Sequence, residues 1–163
     1  MVKNKYTIIK DTREKQGWDF PARESCAGTE IGTLKTGDYT LKGFEHLICI
    51  ERKKNPAEVA GNLGIKKRPF EAEMQRMADY KHAFIICEFG VSELLEYPKN
   101  SSVPKYRQHN VIITGRYMLK CLLEYQLQYN VKILFCDDAK SASIVASSLM
   151  KRLYETETNR QDT

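Results

Sequence analysis

The sequence predicts a mixed α/β fold. Three observations carry this reading: apolar runs of strand length recur at 6–10, 47–53, 83–88 and 131–136; amphipathic stretches of helical length separate the later runs; and Gly or Pro punctuates the joins. The 163 residues are enough to bury a full core. The expected organisation is one domain over residues 1–154, followed by a polar tail over 155–163 that frays.

Each element has its own local warrant. Residues 6–10 form a first strand. Residues 17–36 read as irregular, with Gly28 and Gly32 as turn points and Trp18 and Phe20 as apolar plugs. Residues 38–41 and 47–53 form a hairpin across 42–45. Asn55 and Pro56 mark a helix start, with Asn55 as cap and Pro56 at the first helical position, where its missing N–H costs nothing. That helix runs to about Leu63 and is broken over 64–69. A second helical piece follows over 70–80, with Phe70, Met74 and Met77 on one stripe. Residues 83–88 form a buried strand and 91–96 a short helix. The basic, aromatic stretch 98–110 is the longest polar loop. Thr114 opens a helix to Tyr129 with an apolar stripe of Tyr117, Leu119, Leu122, Leu123 and Leu127. A strand over 131–136 and a helix over 138–154 complete the chain.

The net charge of +5 permits a polyanionic partner without requiring one. The five cysteines form no C-x-x-C pair, which points to buried free thiols in a reducing compartment rather than a disulfide framework or a zinc site. The first residues carry no apolar segment of a signal peptide, and no run approaches the ~18–20 apolar residues of a membrane span. A soluble, intracellular protein with no membrane partner is expected. His46, His82 and His109 are unclustered and read as structural or surface residues.

The chemistry concentrates at strand ends. The run Leu47-Ile48-Cys49-Ile50 ends in Glu51-Arg52-Lys53. A strand alternates its side chains, so Glu51 and Lys53 share one face and Arg52 takes the other. Upstream lie Gly37-Asp38-Tyr39 and, after the first strand, Asp11-Thr12-Arg13-Glu14. Phosphodiester hydrolysis requires a divalent cation to neutralise developing charge, carboxylates to hold it and a group to orient water. Mg²⁺ takes oxygen ligands and retains waters, so two carboxylates and a backbone carbonyl suffice. Asp38 and Glu51 are the natural ligands for Mg²⁺ or Mn²⁺, with the Arg52 carbonyl as a third. Lys53 stands ready to position water or stabilise the transition state, and Asp11 could complete the shell. A lone Glu-x-Lys is common as a solvated ion pair. Here the charges cap apolar strands, and an aspartate after a glycine turn precedes them, in the pattern of the PD-(D/E)xK nucleases.

The motifs Asp11-x-Arg13-Glu14, Gly37-Asp38-Tyr39 and Glu51-Arg52-Lys53 resemble those of the XPF-type structure-specific DNA endonucleases, a family that includes the archaeal Hef nuclease. The resemblance extends over roughly residues 5–153. It implies a restriction-endonuclease-like XPF nuclease fold, a central mixed sheet flanked by helices on both sides. It also implies metal binding by Asp38 and Glu51, catalysis by Lys53, and support from Asp11, Arg13 and Arg52. The implied substrate is branched or flapped duplex DNA, cut near the junction, and the family often associates as a two-fold homodimer. The basic residues Lys54, Lys66, Lys67 and Arg68 flank the helix after the site and would contact phosphates, with Lys105 and Arg107 extending the groove.

Two departures stand out. The family continues E-R-K-x-x-x-D, but Ala57 occupies the aspartate position here, with Glu58 beside it and Glu73 further on as substitute candidates. The family's tandem helix-hairpin-helix and helicase parts are also absent from this sequence, as in a compact stand-alone nuclease of a prokaryotic or phage-infected cytoplasm. Two alternatives remain open at this point: a catalytically silent DNA-binding or scaffold relative, and another PD-(D/E)xK enzyme such as a junction resolvase.

Overall fold

The computed structural model describes residues 5–161; residues 1–4 and 162–163, at the ends of the expected domain and tail, lie outside the described residues. The strands are β1 (Tyr6–Asp11), β2 (Cys26–Gly32), β3 (Tyr39–Leu41), β4 (Ile48–Lys53), β5 (His82–Cys87) and β6 (Lys132–Phe135). The helices are α1 (Pro56–Leu63), α2 (Lys67–Met77), α3 (Val91–Glu96), α4 (Lys105–Gln108), α5 (Gly115–Tyr129) and α6 (Ala139–Gln161).

All six strands join one mixed sheet in the order β2-β1-β3-β4-β5-β6. The central hairpin β3–β4 is antiparallel, with Tyr39 opposite Ile50, and β3 also runs antiparallel to β1. The outer pairs β1–β2, β4–β5 and β5–β6 are parallel. The alternation along β4 divides its side chains between two cores. Cys49 faces the core built with Val59 and Leu63 of α1, Phe70 and Met74 of α2, and Met118 of α5. Ile48 and Ile50 face the core built with Trp18, Phe20 and the α6 residues Ala142, Ala146 and Met150. Helices therefore cover both faces, as the resemblance implies. Among the described residues no helix is long and apolar enough to cross a membrane. All five cysteines are buried and unpaired.

Four sequence expectations require correction. The stretch read as irregular contains β2, a glycine-punctuated edge strand whose Gly28 sits at φ +112, where a side chain would be strained. The stretch read as a break contains the first turn of α2: Pro69 falls in that turn, where backbone N–H groups have no partner inside the helix. On α5 the inward positions are Met118, Cys121, Leu122 and Tyr125, at helical spacing, whereas Tyr117, Leu123 and Leu127 are exposed. Reading the leucines alone shifts the stripe around the helix. Finally, the polar tail is helical to Gln161. Buried Glu157 anchors it by accepting from Lys81 Nζ (2.8 Å) and Arg160 NH1 (3.2 Å), while His82 Nε2 lies 2.8 Å away. The cap at Asn55 is as expected, its side chain accepting from Glu58 N.

Candidate active site

The ends of β3 and β4 bring the acidic motifs together. Asp38 N donates to Ile50 O, and one turn of ladder further Arg52 N donates to the Asp38 carboxylate at 2.8 Å. Gly37, at φ +81, makes this close approach possible: a Cβ there would stand 2.6 Å from Cys49 Sγ. In an extended strand a residue's N–H and C=O point to the same side, so the Arg52 carbonyl also projects toward Asp38.

Glu51 and Lys53 share the face of Cys49. Lys53 is 3% exposed, its Nζ lies 2.8 Å from Glu51 Oε1, and it stands 5.0 Å above the centre of the Phe70 ring. Burial alone would lower the Lys53 pKa, but the charges of Glu51 and Glu73 hold it above its ordinary range, so it remains an ammonium. Burial and the neighbouring Glu51 push Asp38 up to about 8. The same two causes push Glu73 up to about 7, and Glu73 shares a side-chain hydrogen bond with Glu51. Anionic groups crowded in a partly dry site hold protons that a cation can displace.

Oxygen donors of this kind, from carboxylates and a strand carbonyl, suit Mg²⁺ or Mn²⁺. Among the described residues no three His, Cys, Asp or Glu side chains already form a metal cage. A cation held by few protein oxygens and completed by water is the usual habit of Mg²⁺.

The structure separates the remaining site candidates by face and by function. The Arg52 side chain leaves the site for the opposite face of the sheet. It donates to Glu88 Oε1 (2.9 Å), Glu14 Oε2 (3.4 Å) and Gln16 O (3.2 Å), and Glu88 also accepts from the Trp18 indole at 2.8 Å. Asp11 lies at the end of β1 and is engaged with Arg13 and Leu34. Its buried carboxylate already accepts from Arg13 N, Nε and NH2 and from Leu34 N, which occupies its lone pairs. Burial opposes its ionisation, but these hydrogen bonds outweigh it and hold the pKa below the ordinary value. Arg13 also donates to Leu34 O, so the pair pins the loop before Asp38 to the end of β1.

Lys54, Lys66, Lys67, Arg68, Lys105 and Arg107 are all exposed. Lys66, Lys67 and Arg68 lie at the start of α2, within about one helical turn of Phe70, the ring beneath Lys53. Lys105 and Arg107 lie on α4, with Arg107 over the Tyr106 ring at 5.4 Å. The sequence reading missed the partners of Arg52. Its available signal was Glu88, which follows a strand in parallel register with β4 and ends beside Lys53.

A six-stranded mixed sheet with Asp38 facing a buried Glu-x-Lys defines the class: an α/β domain of the XPF-type nuclease fold. The sequence model of the ERCC4 domain matches residues 10–148, and the chain belongs to the ERCC4 domain family. No curated protein matches it. Its structure is similar to XPF from Aeropyrum pernix, with a TM-score of 0.62 and 22% identity, over 96% of this chain and 69% of that one. It is also similar to XPF from Aeropyrum pernix in complex with DNA, with a TM-score of 0.61 and 23% identity, over 94% of this chain and 66% of that one. This chain thus spans about two thirds of those chains.

Proposed function

We propose that this protein is a metal-dependent DNA endonuclease that hydrolyses phosphodiester bonds near branched or flapped duplex structures. The observation that carries the proposal is the buried Glu51–Lys53 pair on the same side of the sheet end as Asp38. Asp38, Glu51 and the Arg52 carbonyl would hold Mg²⁺ or Mn²⁺. The bound cation would neutralise charge developing on the phosphate and lower the pKa of its water. Lys53, kept protonated by Glu51 and Glu73, orients the attacking water and stabilises the charge on the non-bridging oxygens. Asp11 and Arg13 fix the loop that presents Asp38. Lys54, Lys66, Lys67, Arg68, Lys105 and Arg107 supply phosphate contacts.

The likeness to a DNA-bound XPF supports a DNA partner. The exposed Leu123 and Leu127 on α5, next to Leu95 and Leu119, offer a surface for the two-fold association expected of the family. The buried thiols support a reducing, cytoplasmic setting. Exposed Ala57 favours a second reading, a DNA-binding scaffold that no longer cuts.

The test is cleavage of labelled splayed, flapped and four-way DNA against plain duplex, with Mg²⁺, Mn²⁺ or EDTA, for wild type and Glu51→Gln. Metal-dependent cutting near the branch, lost in the variant, is the expected result. Tight binding without cutting under either metal would select the scaffold, and cutting confined to four-way DNA would select a resolvase.

A further inference from the structure

A half-open cavity of about 470 Å³ lies beside the acidic site, and none of Asp38, Glu51 or Lys53 lines it. One wall is the loop before β3, the opposite wall is the end of α2, and the β3–β4 turn closes the far end. A volume in this range encloses one small organic ligand.

The rim nearest Asp38 is cationic. Lys35 and Arg76 are exposed there, and among the described residues neither forms an ion pair, so both are free to take an anion. Arg76 is held in position because its Nε donates to Thr36 Oγ1 at 2.9 Å, which leaves its two terminal nitrogens for a ligand. Thr36 stands two residues before Asp38. Two residues span at most about 7 Å, so this rim is about two nucleotide rises from the carboxylate at the start of β3.

The interior has a different character. Leu34 and Ile48 line it as buried apolar residues, and Tyr80 contributes a half-buried ring. Thr36 Oγ1 accepts from Arg76, so its own proton is available to donate. Thr40 Oγ1 donates to Ile48 O at 2.6 Å, so its lone pairs are available to accept. A nucleobase meets each demand: its face stacks on a tyrosine, and its edge carries both acceptors and donors. Glu45 and Asp79 also line the cavity, so it is no uniformly basic track. It suits one phosphate at the Lys35–Arg76 rim rather than a run of them.

We propose that this cavity is a subsite for a single unpaired nucleotide of the DNA strand, its phosphate at Lys35 and Arg76 and its base against Tyr80. A base can enter only when it is out of the stack, a state that a branch or flap supplies and plain duplex does not. The inference rests on the nuclease reading and gives its preference for branched DNA a physical origin.

The test is equilibrium binding, in EDTA, of labelled splayed DNA whose unpaired arm carries one abasic site, moved one position at a time. Wild type, Tyr80→Leu and Lys35→Ala are compared, with melting curves to verify folding; leucine keeps apolar bulk where Tyr80 packs against the core. Wild type should show one position at which removing the base weakens binding roughly 5–100-fold, the range of base–aromatic stacking. In Tyr80→Leu that position should no longer stand out. Lys35→Ala should keep the sensitive position but lower the salt slope of binding by about one ion. A scan with no sensitive position, or one that Tyr80→Leu leaves unchanged, overturns the inference. Thymidine monophosphate is titrated alongside, and Tyr80-dependent binding of it with a flat scan would assign the cavity to a free nucleotide and overturn the inference too. Mg²⁺-dependent cutting of the same substrates separates the two readings. Cutting with a flat scan overturns the subsite and keeps the nuclease, whereas a sensitive position without cutting keeps the subsite and selects the scaffold. A wild-type protein that binds none of these DNAs overturns both.

Discussion

Removing the Asp38 charge should stabilise the metal-free protein at alkaline pH. In the folded chain Asp38 is raised from 3.8 to about 8, first by burial and then by Glu51. A carboxyl whose folded pKa lies above its unfolded one binds more protons when folded. Its contribution to stability is therefore full below about pH 4 and is lost as pH climbs through about 8. The interval spans roughly four pH units, each worth ~1.4 kcal/mol, which sets a ceiling of roughly 5–6 kcal/mol. Part of the rise comes from the neighbouring charges of Glu51 and Glu14 rather than from burial. Neutralising Asp38 alone therefore recovers only part of the ceiling, about 2–4 kcal/mol. Asp38→Asn keeps an oxygen to accept from Arg52 N and removes the charge. At pH 8.5 in EDTA it should melt roughly 5–10 °C above wild type, since each kcal/mol moves a domain of this size by about 2–4 °C. At pH 5 the gap should shrink, because the folded wild type is then protonated at Asp38. Saturating Mn²⁺ should close the gap at pH 8.5 by stabilising wild type alone. Thermal melts from pH 5 to 9 read all three arms. A variant no more stable than wild type at pH 8.5, or a gap that does not change with pH, would refute the reasoning that this cluster is held under electrostatic strain.

Three further outcomes are expected. Lys53→Met should cut turnover by about 10²–10³-fold, the usual cost of removing one preorganised charge-stabilising group, and should also lower the melting temperature because buried Glu51 loses its cation; retained cleavage by the folded variant would remove Lys53 from the mechanism. Arg52→Ala should instead destabilise by about 3–5 kcal/mol, because it leaves Glu88 and Glu14 without their cation in a buried network; chemical denaturation measures this, and a stable variant would show the network to be incidental. Glu157 is lowered to about 2 by hydrogen bonds from Lys81 and His82, so its stabilising effect is present above about pH 4.5 and fades as pH falls toward 2; melts between pH 2.5 and 6 should show this acid limb in wild type and not in Glu157→Gln.

The readable parts of this chain were those in which one residue type answers one local physical demand. Alternation alone put Glu51 and Lys53 on one face, and Asn55-Pro56 marked its helix because cap and first-turn chemistry are local. The parts that did not read depend on distant partners. The edge strand β2 is rich in glycine and polar residues and is a strand because β1 offers it a parallel partner. The last turns of α6 look like a fraying tail until Lys81 and His82, more than seventy residues away in sequence, meet Glu157. Asp11 reads as a spare ligand until Leu34 N arrives to complete its shell of donors. The α5 stripe failed for a different reason: Met, Cys and Tyr carry the inward face, and weighting leucine alone selects the wrong one.

The order Glu-Arg-Lys at the end of β4 has a physical logic. The strand must hold a carboxylate and an ammonium side by side at its last inward positions, where neither is stable without the other. Burying such a pair requires a rigid strand end, yet β3 begins only at Tyr39, opposite Ile50, and β4 itself stops at Lys53. The intervening residue supplies that rigidity from the other face. Arg52 reaches into Glu14, Gln16 and Glu88, which ties the loop after β1 and the end of β5 to β4. Its backbone N–H meanwhile fixes Asp38 on the near side. A lysine at position 52 would offer one point charge where the guanidinium contacts three groups at once, so it could not brace both neighbouring segments. One side chain thus braces the strand end that carries the buried Glu51–Lys53 pair, and strict alternation is what allows the pair and its brace to sit within three residues.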